Sequence, residues 1–337
     1  MKKYKLAIVG ATGVVGRTAL KVLEEKKLPI SEYYLFASKR SAGTKLKFMD
    51  KEYTVAELNE NSFDTGIDFA IFSAGGETSK RYSPIACNKG CTVIDNSSAF
   101  RMDTNIPLIV PEVNFNEILN YKGIIANPNC STIQAVVCLK PLDDKYKIKR
   151  IIYSTYQAVS GAGIKGINDL ENGIKNYING NNSEDYLEKF PYPIFNNCLP
   201  HIDTFLPNGY TKEEEKMINE TRKILGKPDL KITATTVRVP VFNCHSESIN
   251  VEFESEFGDI EEVKELLKKA PGITVVDDPL DNLYPVTFNA NGNDNVFVGR
   301  IRKDSSVKSG INLWVVADNI RKGAASNAIQ ILEKLIK

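Results

Sequence analysis

Cys130 is the side chain whose setting in this sequence most clearly suits covalent chemistry. It lies in the segment ANPNCST, residues 126–132, between a predicted strand and an apolar helix predicted over 132–139. A thiol at the N-terminus of a helix is stabilised as its anion, which is the nucleophilic form of cysteine. The other five cysteines lack this setting, so the pattern predicts Cys130 as the nucleophile.

A reactive thiolate needs a partner that handles protons near neutral pH, and histidine is the usual one. The chain has two histidines, His201 and His245. His201 stands beside a proline-rich loop, a setting typical of a structural or surface imidazole. His245 follows Arg238 at the junction of two β-rich runs, and a guanidinium suits a substrate carboxylate. Arg238 and His245 are seven residues apart, so on one straight strand their side chains would lie on opposite faces. A turn at Pro240 and Asn243 would bring them together.

A glycine-rich turn lies at the first predicted strand–helix junction. The motif GATGVVG, residues 10–16, lets backbone N–H groups approach a pyrophosphate at the helix N-terminus. The second strand ends without the acid that grips the ribose in NAD sites, and Ser38, Lys39 and Arg40 follow it instead. A hydroxyl beside two cations suits a 2′-phosphate, so the sequence favours NADP. A plain glycine-rich turn with solvated loop charges is the alternative.

The elements that must position these residues follow two different patterns. Alternating strand and helix signals before Cys130 predict a parallel sheet with helices on both faces. Its strands are predicted at 5–9, 33–37, 69–73, 92–95, 108–110 and 123–126, and its helices at 14–26 and 79–88. Longer β-rich runs then predict a mostly antiparallel sheet, with strands at 150–156, 233–241, 248–254, 296–302 and 313–317. Further helices are predicted at 212–225, 260–270 and 324–336, and a surface loop at 179–200.

The predicted fold class is therefore α/β with two domains. An N-terminal doubly wound, Rossmann-type domain for NADP covers residues 1–129 and is completed by the C-terminal segment 318–337. An α+β domain with a mostly antiparallel sheet covers residues 130–317 and carries the catalytic groups.

Composition excludes several classes of protein. The chain has 337 residues, 42% hydrophobic and 25% charged, as is typical of a globular protein. Its 43 basic and 42 acidic residues nearly cancel, so nothing points to a nucleic-acid or membrane partner. Apolar runs are strand-sized, and the first is interpreted as a strand rather than a secretory signal. Six scattered cysteines predict free thiols in a reducing compartment, and no metal site is expected.

The ordered motifs of the chain together resemble the bacterial type of the aspartate-semialdehyde dehydrogenase family. The resemblance runs nearly from end to end, and the order and spacing of the motifs make it specific. The motifs are GATGVVG, ASKRSAG, FSAGG, DNSSAFR, VPEVN, NPNCST, YQAVSGAG, NGYTKEEE, TTVRVPV, CHSE and VADNIRKGAA.

The resemblance implies a reaction as well as a fold. It implies NADPH-dependent reduction of L-aspartyl 4-phosphate to L-aspartate 4-semialdehyde, on the route to lysine, threonine and methionine. Cys130 would expel phosphate and form a thioester, hydride from NADPH would reduce the thioester, and His245 would be the general acid/base. Gln157 matches the residue that orients the reacting carbonyl.

The resemblance also implies roles for binding residues. Arg238 matches the residue for the substrate carboxylate, and Glu213 the acid near its amino group, although Glu214 and Glu215 follow directly and leave that choice open. The positions that match phosphate ligands are Arg101, Asn129 and Lys216. The positions that match cofactor contacts are Gly10, Thr12, Gly13, Val14, Val15, Ser38 and Arg40, with Ser73, Gly161 and Asn319 near the nicotinamide.

The implied protein is cytoplasmic and forms a homodimer or homotetramer, with the β-rich domain as the interface. Its partners are a small-molecule substrate and phosphate. The nearest alternative is an N-acetyl-glutamyl-phosphate reductase, which shares the cysteine chemistry but has Asn-Pro-Gly-Cys-Tyr where this chain has Asn-Pro-Asn-Cys-Ser. A malonyl-CoA-type reductase is a lesser alternative. A catalytically silent NADP-binding relative would lack the nucleophile or the base, and both are present here.

Substitution of Arg40 tests the cofactor prediction. Arg40→Ala is expected to weaken NADPH binding about tenfold to hundredfold, because one charge-assisted contact to the 2′-phosphate is lost. Binding of NADH, which has no such phosphate, should change far less. Dissociation constants of both cofactors measure the difference, and an equal loss for both would contradict the assignment.

Overall fold

The computed structural model describes residues 2–181 and 185–337, and the chain divides into two compact units. Met1–Asn129 and Ala324–Lys337 form the first unit, and Cys130–Gly323 form the second. Part of the predicted surface loop, residues 182–184, lies outside the described residues.

The return of the chain to the first unit begins at Ala324 rather than at residue 318, where the sequence analysis placed it. Hydrogen bonds hold the intervening residues in the second unit. The Asp318 carboxylate accepts the backbone N–H groups of Gly292 and Ile320, and Asn319 Oδ1 accepts that of Cys244. Side-chain bonds of this kind are invisible in a hydrophobic pattern, which is why the boundary was placed too early.

A six-stranded parallel sheet forms the centre of the first unit, with strand order β5-β2-β1-β6-β7-β8. The strands of this sheet are β1 (Tyr4–Val9), β2 (Ile30–Ala37), β5 (Ala56–Glu57), β6 (Phe69–Phe72), β7 (Thr92–Asp95) and β8 (Ile124–Ala126). A separate antiparallel hairpin consists of β3 (Lys45–Phe48) and β4 (Lys51–Thr54). The helices here are α1 (Val14–Lys26) and α2 (Gly76–Asn88), with 3₁₀ turns at Lys39–Ser41 and Phe115–Ile118. The sequence analysis did not predict the hairpin, and of its strand at 108–110 only a single bridge, Leu108 to Ala126, forms.

A mixed six-stranded sheet forms the second unit, with strand order β10-β9-β11-β14-β13-β12. Its strands are β9 (Ile148–Gln157), β10 (Lys231–Arg238), β11 (His245–Phe253), β12 (Ile273–Val275), β13 (Val296–Lys303) and β14 (Gly310–Ala317). The three central pairings are antiparallel and the two outer ones are parallel, which confirms the prediction of a mostly antiparallel sheet. The strand predicted at 233–241 ends early, at Arg238, because Pro240 has no N–H for a ladder and the chain turns there.

Helix α3 is the central element of the second unit. It is buried on nearly all sides, packing against other helices and four strands of the sheet, as expected of a helix with apolar residues all round. The helices are α3 (Cys130–Tyr146), α4 (Gly163–Ile178), α5 (Lys212–Leu225), α6 (Ile260–Lys269) and α7 (Thr287–Ala290), with a 3₁₀ turn at Val159–Ala162. Helix α4 was not predicted.

A π-helical turn, Arg321–Ala325, leads into the last helix, α8 (Ser326–Ile336). Ile329 and Leu332 of α8 are fully buried in one apolar cluster with Ile8 of β1 and Leu23 of α1. The C-terminal segment therefore completes the core of the first unit. None of the helices in the described ranges is both long enough and apolar enough to cross a membrane.

Candidate active site

Cys130 is the first residue of α3, two residues before the predicted helix start. It is partly buried, and Gly323 lies directly against it. A Cβ atom added to Gly323 would lie 2.8 Å from the Cβ of Cys130, closer than real side chains approach. A glycine is therefore required at 323, and the thiol has a tightly defined place at a helix N-terminus, where its anion is stabilised.

The remaining cysteines are poor candidates for a nucleophile. All six cysteines are free, but burial raises the pKa of Cys87 to about 11 and raises those of Cys91, Cys138 and Cys244 further. These four side chains stay protonated near neutral pH. Cys198 is exposed on a loop.

The backbone of one residue, Ala158, joins Arg238 and His245, whose proximity the sequence left open. The Ala158 N–H donates to Nδ1 of His245 over 3.0 Å, and the Ala158 carbonyl accepts from Nη1 of Arg238 over 2.6 Å. The turn that makes this possible lies between β10 and β11, where the backbone of Val241 accepts from Val159. Arg238 and His245 are thus brought together by a third segment.

The hydrogen bond from Ala158 also determines how His245 carries its proton. Because Nδ1 accepts, the neutral imidazole has its proton on Nε2. Burial and the Arg238 guanidinium lower the pKa of His245 to about 3, so the ring is uncharged at neutral pH. Nε2 is buried and has no partner among the residues that the structure describes. Gly161 lies against this atom, since a Cβ there would be 3.3 Å from Nε2.

A second chain of hydrogen bonds connects three predicted site residues. Gln157 Nε2 donates to Glu213 Oε1 over 3.1 Å, and Lys216 Nζ donates to Glu213 Oε2 over 3.1 Å. Lys216 also donates to Asp203 over 2.6 Å, and the Thr155 hydroxyl donates to Oε1 of the Gln157 side chain. Burial lowers the pKa of the Lys216 ammonium, but Glu213 and Asp203 outweigh burial and raise it.

The start of α5 distinguishes the three successive glutamates. Thr211 and Glu214 form a capping box, and Glu214 also accepts from the backbone N–H of Thr236. Glu215 accepts from Asn208 and Asn219 on the outside of the helix. Glu213 alone of the three reaches Gln157 and Lys216, which favours it as the acid that faces a substrate.

Arg238 is 5% exposed, and its charge is only partly balanced. Burial lowers the pKa of the guanidinium, while Glu213 and the Cys130 thiolate oppose that shift. Its Nε is buried and without a partner in the described ranges. A buried cation with an unused donor beside a thiol is a suitable receptor for a carboxylate.

Asn319 and Gly161, predicted near a nicotinamide, both border the His245 segment. Asn319 Nδ2 donates to Ser160 Oγ over 3.0 Å, and its Oδ1 accepts from the Cys244 backbone. The strained left-handed backbone of Cys244, at φ 73°, is held by that bond.

The glycine-rich turn of the first unit has the close contacts that its sequence predicts. Gly10 has φ 88°, and a Cβ there would lie 2.4 Å from the Ser73 carbonyl oxygen. A Cβ on Gly16 would lie 2.2 Å from the Gly10 carbonyl oxygen. Gly13 precedes α1 and has no side chain to cap it, so backbone N–H groups of the first turn are open to an anion.

The other predicted cofactor residues lie at the same carboxyl edge of the parallel sheet. Thr12, Val14 and Val15 belong to the turn and the first helical turn, and Ser73 directly follows β6. Ser38 and Arg40 follow β2 and are exposed. The strand order reverses between β1 and β6, and doubly wound sheets bind ligands at such a point.

Arg101 and Asn129, the predicted phosphate ligands of the first unit, are both buried. Arg101 Nε donates to the Asn127 carbonyl over 2.9 Å, and Nη2 donates to the Asn96 carbonyl over 3.0 Å. These bonds hold the guanidinium rigidly in place.

Sequence reasoning missed four residues that shape the site. Ala158 acts through its backbone and Asp203 is a single acid in a loop, so neither has a recognisable pattern. Gly323, in the run RKGAA before a helix, has a signal that was available, since glycine there marks a close approach. Glu247 lies two residues after His245 and is buried. In the part of the chain that the structure describes, no group of three or more potential ligands could hold a metal ion, and His201 stacks on Phe205 at 4.2 Å.

Two family models match this chain. The model described as semialdehyde dehydrogenase, NAD binding domain, matches residues 5–121. The model described as semialdehyde dehydrogenase, dimerisation domain, matches residues 139–322.

Known proteins resemble the chain over its whole length. An aspartate-semialdehyde dehydrogenase of Aquifex aeolicus is 58% identical over 99% of this chain and 98% of the relative. The crystal structure of aspartate semialdehyde dehydrogenase II of Vibrio cholerae, complexed with ASA, has a TM-score of 0.93 and 46% identity, covering 100% of this chain and 99% of that one. The enzyme of Candida albicans, crystallised with NADP, has a TM-score of 0.77 and 26% identity, with 99% of each chain covered.

The buried neutral imidazole predicts a pH dependence of stability. In the unfolded chain His245 takes up a proton below about pH 6.5, but the folded chain does not do so until a pH of about 3. The unfolded state therefore binds the extra proton first, and stability falls as the pH falls. Between about pH 7.5 and pH 5 the native chain should lose about 2 kcal/mol more than His245→Gln.

Urea unfolding of the two proteins at both pH values measures this difference. The variant is a matched control, since every other titrating group is shared. Parallel pH dependence in the two proteins would mean that His245 is not buried in its neutral form.

Proposed function

This chain belongs to the aspartate-semialdehyde dehydrogenase family, and from that premise we propose that it reduces L-aspartyl 4-phosphate to L-aspartate 4-semialdehyde with NADPH and releases phosphate. The reaction serves amino-acid biosynthesis, on the route to lysine, threonine and methionine. The observation that supports this proposal most strongly is the grouping of Cys130, His245, Arg238 and Glu213 in one unit, where each has a distinct chemical task. The six free thiols support a reducing, cytoplasmic setting.

NADP fits the first unit. Gly10 and Gly16 let the backbone of the turn pack closely against Ser73 and against itself, and the helix start after Gly13 has no side-chain cap, so its N–H groups can donate to a phosphate. Thr12, Val14, Val15 and Ser73 would line the pyrophosphate and nicotinamide side, and Ser38 and Arg40 the 2′-phosphate. NADPH supplies a hydride when bound.

Cys130 is the nucleophile in the proposed mechanism. The helix N-terminus and the Arg238 guanidinium both favour its thiolate, so no separate base has to remove the proton. The sulfur attacks the acyl carbon, the carbon–oxygen bond to phosphate breaks, and a thioester remains on Cys130. Hydride addition to that carbonyl gives a hemithioacetal, whose collapse returns the thiolate and releases the aldehyde.

His245 is the acid/base of these steps. Its neutral ring presents the Nε2 proton to the oxygen that becomes negative as the thioester is reduced. Nε2 keeps its proton and holds that oxygen by a hydrogen bond until the hemithioacetal collapses. Arg238 disfavours an imidazolium, so a hydrogen bond from a neutral ring is the form of catalysis that this environment supports.

Charges in the second unit match those of the substrate. Arg238 suits the α-carboxylate, Glu213 suits the ammonium group, and Lys216 suits the phosphate. Gln157 is held by Thr155 and Glu213, so its amide is fixed for orienting the carbonyl. Phosphate binding by Arg101 and Asn129, which belong to the first unit, stays a prediction.

The chain contains a dimerisation domain, and we infer a homodimer formed through the sheet of the second unit. Helices α3, α5 and α6 lie against the sheet on one side. On the other side Tyr156 and Trp314 stack with ring centroids 5.5 Å apart, in a cavity of about 560 Å³ with Tyr284 and Val286 on its wall. Tyr156 and Tyr284 are about 40% exposed, and such an apolar patch is typical of a protein interface.

The proposed reaction is tested by phosphate-dependent reduction of NADP⁺ with aspartate semialdehyde, run beside N-acetyl-glutamate semialdehyde. Turnover of the first compound alone is expected, and turnover of the second alone would overturn the substrate. Cys130→Ala should abolish turnover while NADPH binding stays within about twofold, because the thiol acts only on the substrate. Cys198→Ala, at an exposed loop cysteine, is the control and should stay active.

A charge in the apolar cavity tests the dimer. Tyr284→Glu should weaken self-association about tenfold or more, since a carboxylate would be buried without a partner. Tyr177→Glu, at a tyrosine 71% exposed on α4, is the matched control and should not change association. Sedimentation equilibrium at micromolar concentration measures both, and an unchanged dimer in the first variant would place the interface elsewhere.

A further inference from the structure

Glu247 is a fully buried carboxyl group that the proposed mechanism does not use. It follows His245 by two residues on β11, so both side chains leave the same face of the strand. Its side chain is 0% exposed, and neither carboxyl oxygen has a hydrogen-bond partner among the residues that the structure describes. A carboxylate in that position would be strongly unfavourable.

The groups around Glu247 do not compensate a negative charge. The titratable groups that interact with it are Cys138 of α3, Tyr153 of β9 and Glu213 of α5, none of them a cation. Burial raises the pKa of Glu247 well above its usual value and Glu213 raises it further, while the Gln134 side chain opposes the shift without cancelling it. The side chain is therefore a neutral carboxylic acid, with one O–H group to donate.

Gln134 is the side chain that such a donor would meet. It lies within hydrogen-bonding reach of the Glu247 carboxyl, is itself 0% exposed, and its Oε1 has no donor in the described ranges. Its Nε2 donates to the His245 carbonyl oxygen over 3.4 Å. Gln134 follows Cys130 by four residues, which puts both on one side of α3.

We propose that Glu247 and Gln134 form a buried carboxyl–amide pair that holds the start of α3, with Cys130, against β11, with His245. The O–H of Glu247 donates to Oε1 of Gln134, and so satisfies an acceptor that is otherwise buried without a donor. Nε2 of Gln134 continues the link to the His245 backbone. The pair consists of positioning residues, which touch neither the substrate nor the cofactor.

The positions of Gln134 and Glu247 in the chain place each of them close to one of the two proposed reacting residues. One member is four residues from the nucleophile along a helix, and the other is two residues from the acid/base along a strand. Loss of the bond would let the helix shift along the sheet. A displacement of about 1 Å between reacting groups lowers rates about hundredfold. The inference rests on the proposed function, because it takes Cys130 and His245 as the reacting pair.

Four variants and a control test the pair. Glu247→Met and Gln134→Met keep the side-chain volume but remove the polar atoms, and the double variant combines them. Glu247→Gln retains an N–H donor toward Gln134. Glu252→Gln, the same change on the same strand at a residue that bonds Lys149 near the surface, is the control. Measurements are kcat and KM for aspartate semialdehyde, the pH profile of kcat, and the rate at which iodoacetamide alkylates Cys130, followed on its peptide.

Glu247→Gln and the control should retain kcat within about threefold and an unchanged pH profile. Each Met variant should lose about tenfold to hundredfold in kcat with little change in KM, and the double variant should lose no more than the worse single one. Full activity in both Met variants would overturn the pair. So would a loss in Glu247→Gln as large as in Glu247→Met, which would point to an ionising role.

Two results distinguish failure of the proposed Glu247–Gln134 pair from failure of the proposed function and from failure of a variant to fold. If the native chain turns over no aspartate semialdehyde, the proposed function fails, and the alkylation rate still tests the pair, with a change of about threefold or more expected in the Met variants. If a Met variant does not fold, Glu247→Gln decides by itself: retained kcat supports the pair and lost kcat overturns it.

Discussion

The backbone of Ala158 donates to Nδ1 of His245 and accepts from the guanidinium of Arg238, and the proposed active site of the second unit depends on these two bonds. They fix the imidazole with its proton on Nε2 and hold a buried cation beside it. Burial and this cation keep the imidazole neutral, and the cation also interacts favourably with a thiolate on Cys130. The backbone of a single residue thus positions both His245 and Arg238, on which the proposed acid/base and the proposed nucleophile depend.

Burial shifts the pKa values of the ionisable side chains in the second unit, and hydrogen bonds offset the free-energy cost of removing these groups from water. The second unit encloses Arg238, Glu213, His245 and Glu247, which a smaller core would leave in water. Three of them are held in one protonation state by their surroundings: Arg238 by Glu213, His245 by burial and Arg238, and Glu247 by burial with no cation among the groups that interact with it. Low dielectric strengthens these interactions, and the same condition stabilises charge that develops in the substrate.

Short-range sequence patterns predicted the helices whose bounds are set by residues close together in the chain. The bounds of α1 and α5 follow from helical spacing, and α5 begins at a capping box that is visible in the sequence. The strand predicted to residue 241 ends at Arg238, because Pro240 cannot donate to a ladder and the chain turns there. Helix α4 was missed because its glycines and asparagines conceal an apolar stripe.

The candidate site was predictable in its residue types but not in its connections. Helix-start chemistry predicted Cys130 as the nucleophile, and the presence of only two histidines in the sequence led to the prediction of His245 as its partner. The bond from Ala158 to His245 joins positions far apart in the chain, and the partner of a backbone group is set by tertiary packing alone. The neutral state of Glu247 is likewise a property of its enclosure, since a glutamate on a strand is ordinarily charged.

The central claim is a thioester on Cys130, and a single-turnover experiment without phosphate tests it most directly. The enzyme is mixed with aspartate semialdehyde and NADP⁺, NADPH formation is followed, and the quenched protein is digested for mass spectrometry. We expect one NADPH formed per active site, an aspartyl adduct on the Cys130 peptide, and loss of that adduct when phosphate is added. A burst with the adduct on another residue, or phosphate-dependent turnover with no adduct at all, would contradict it.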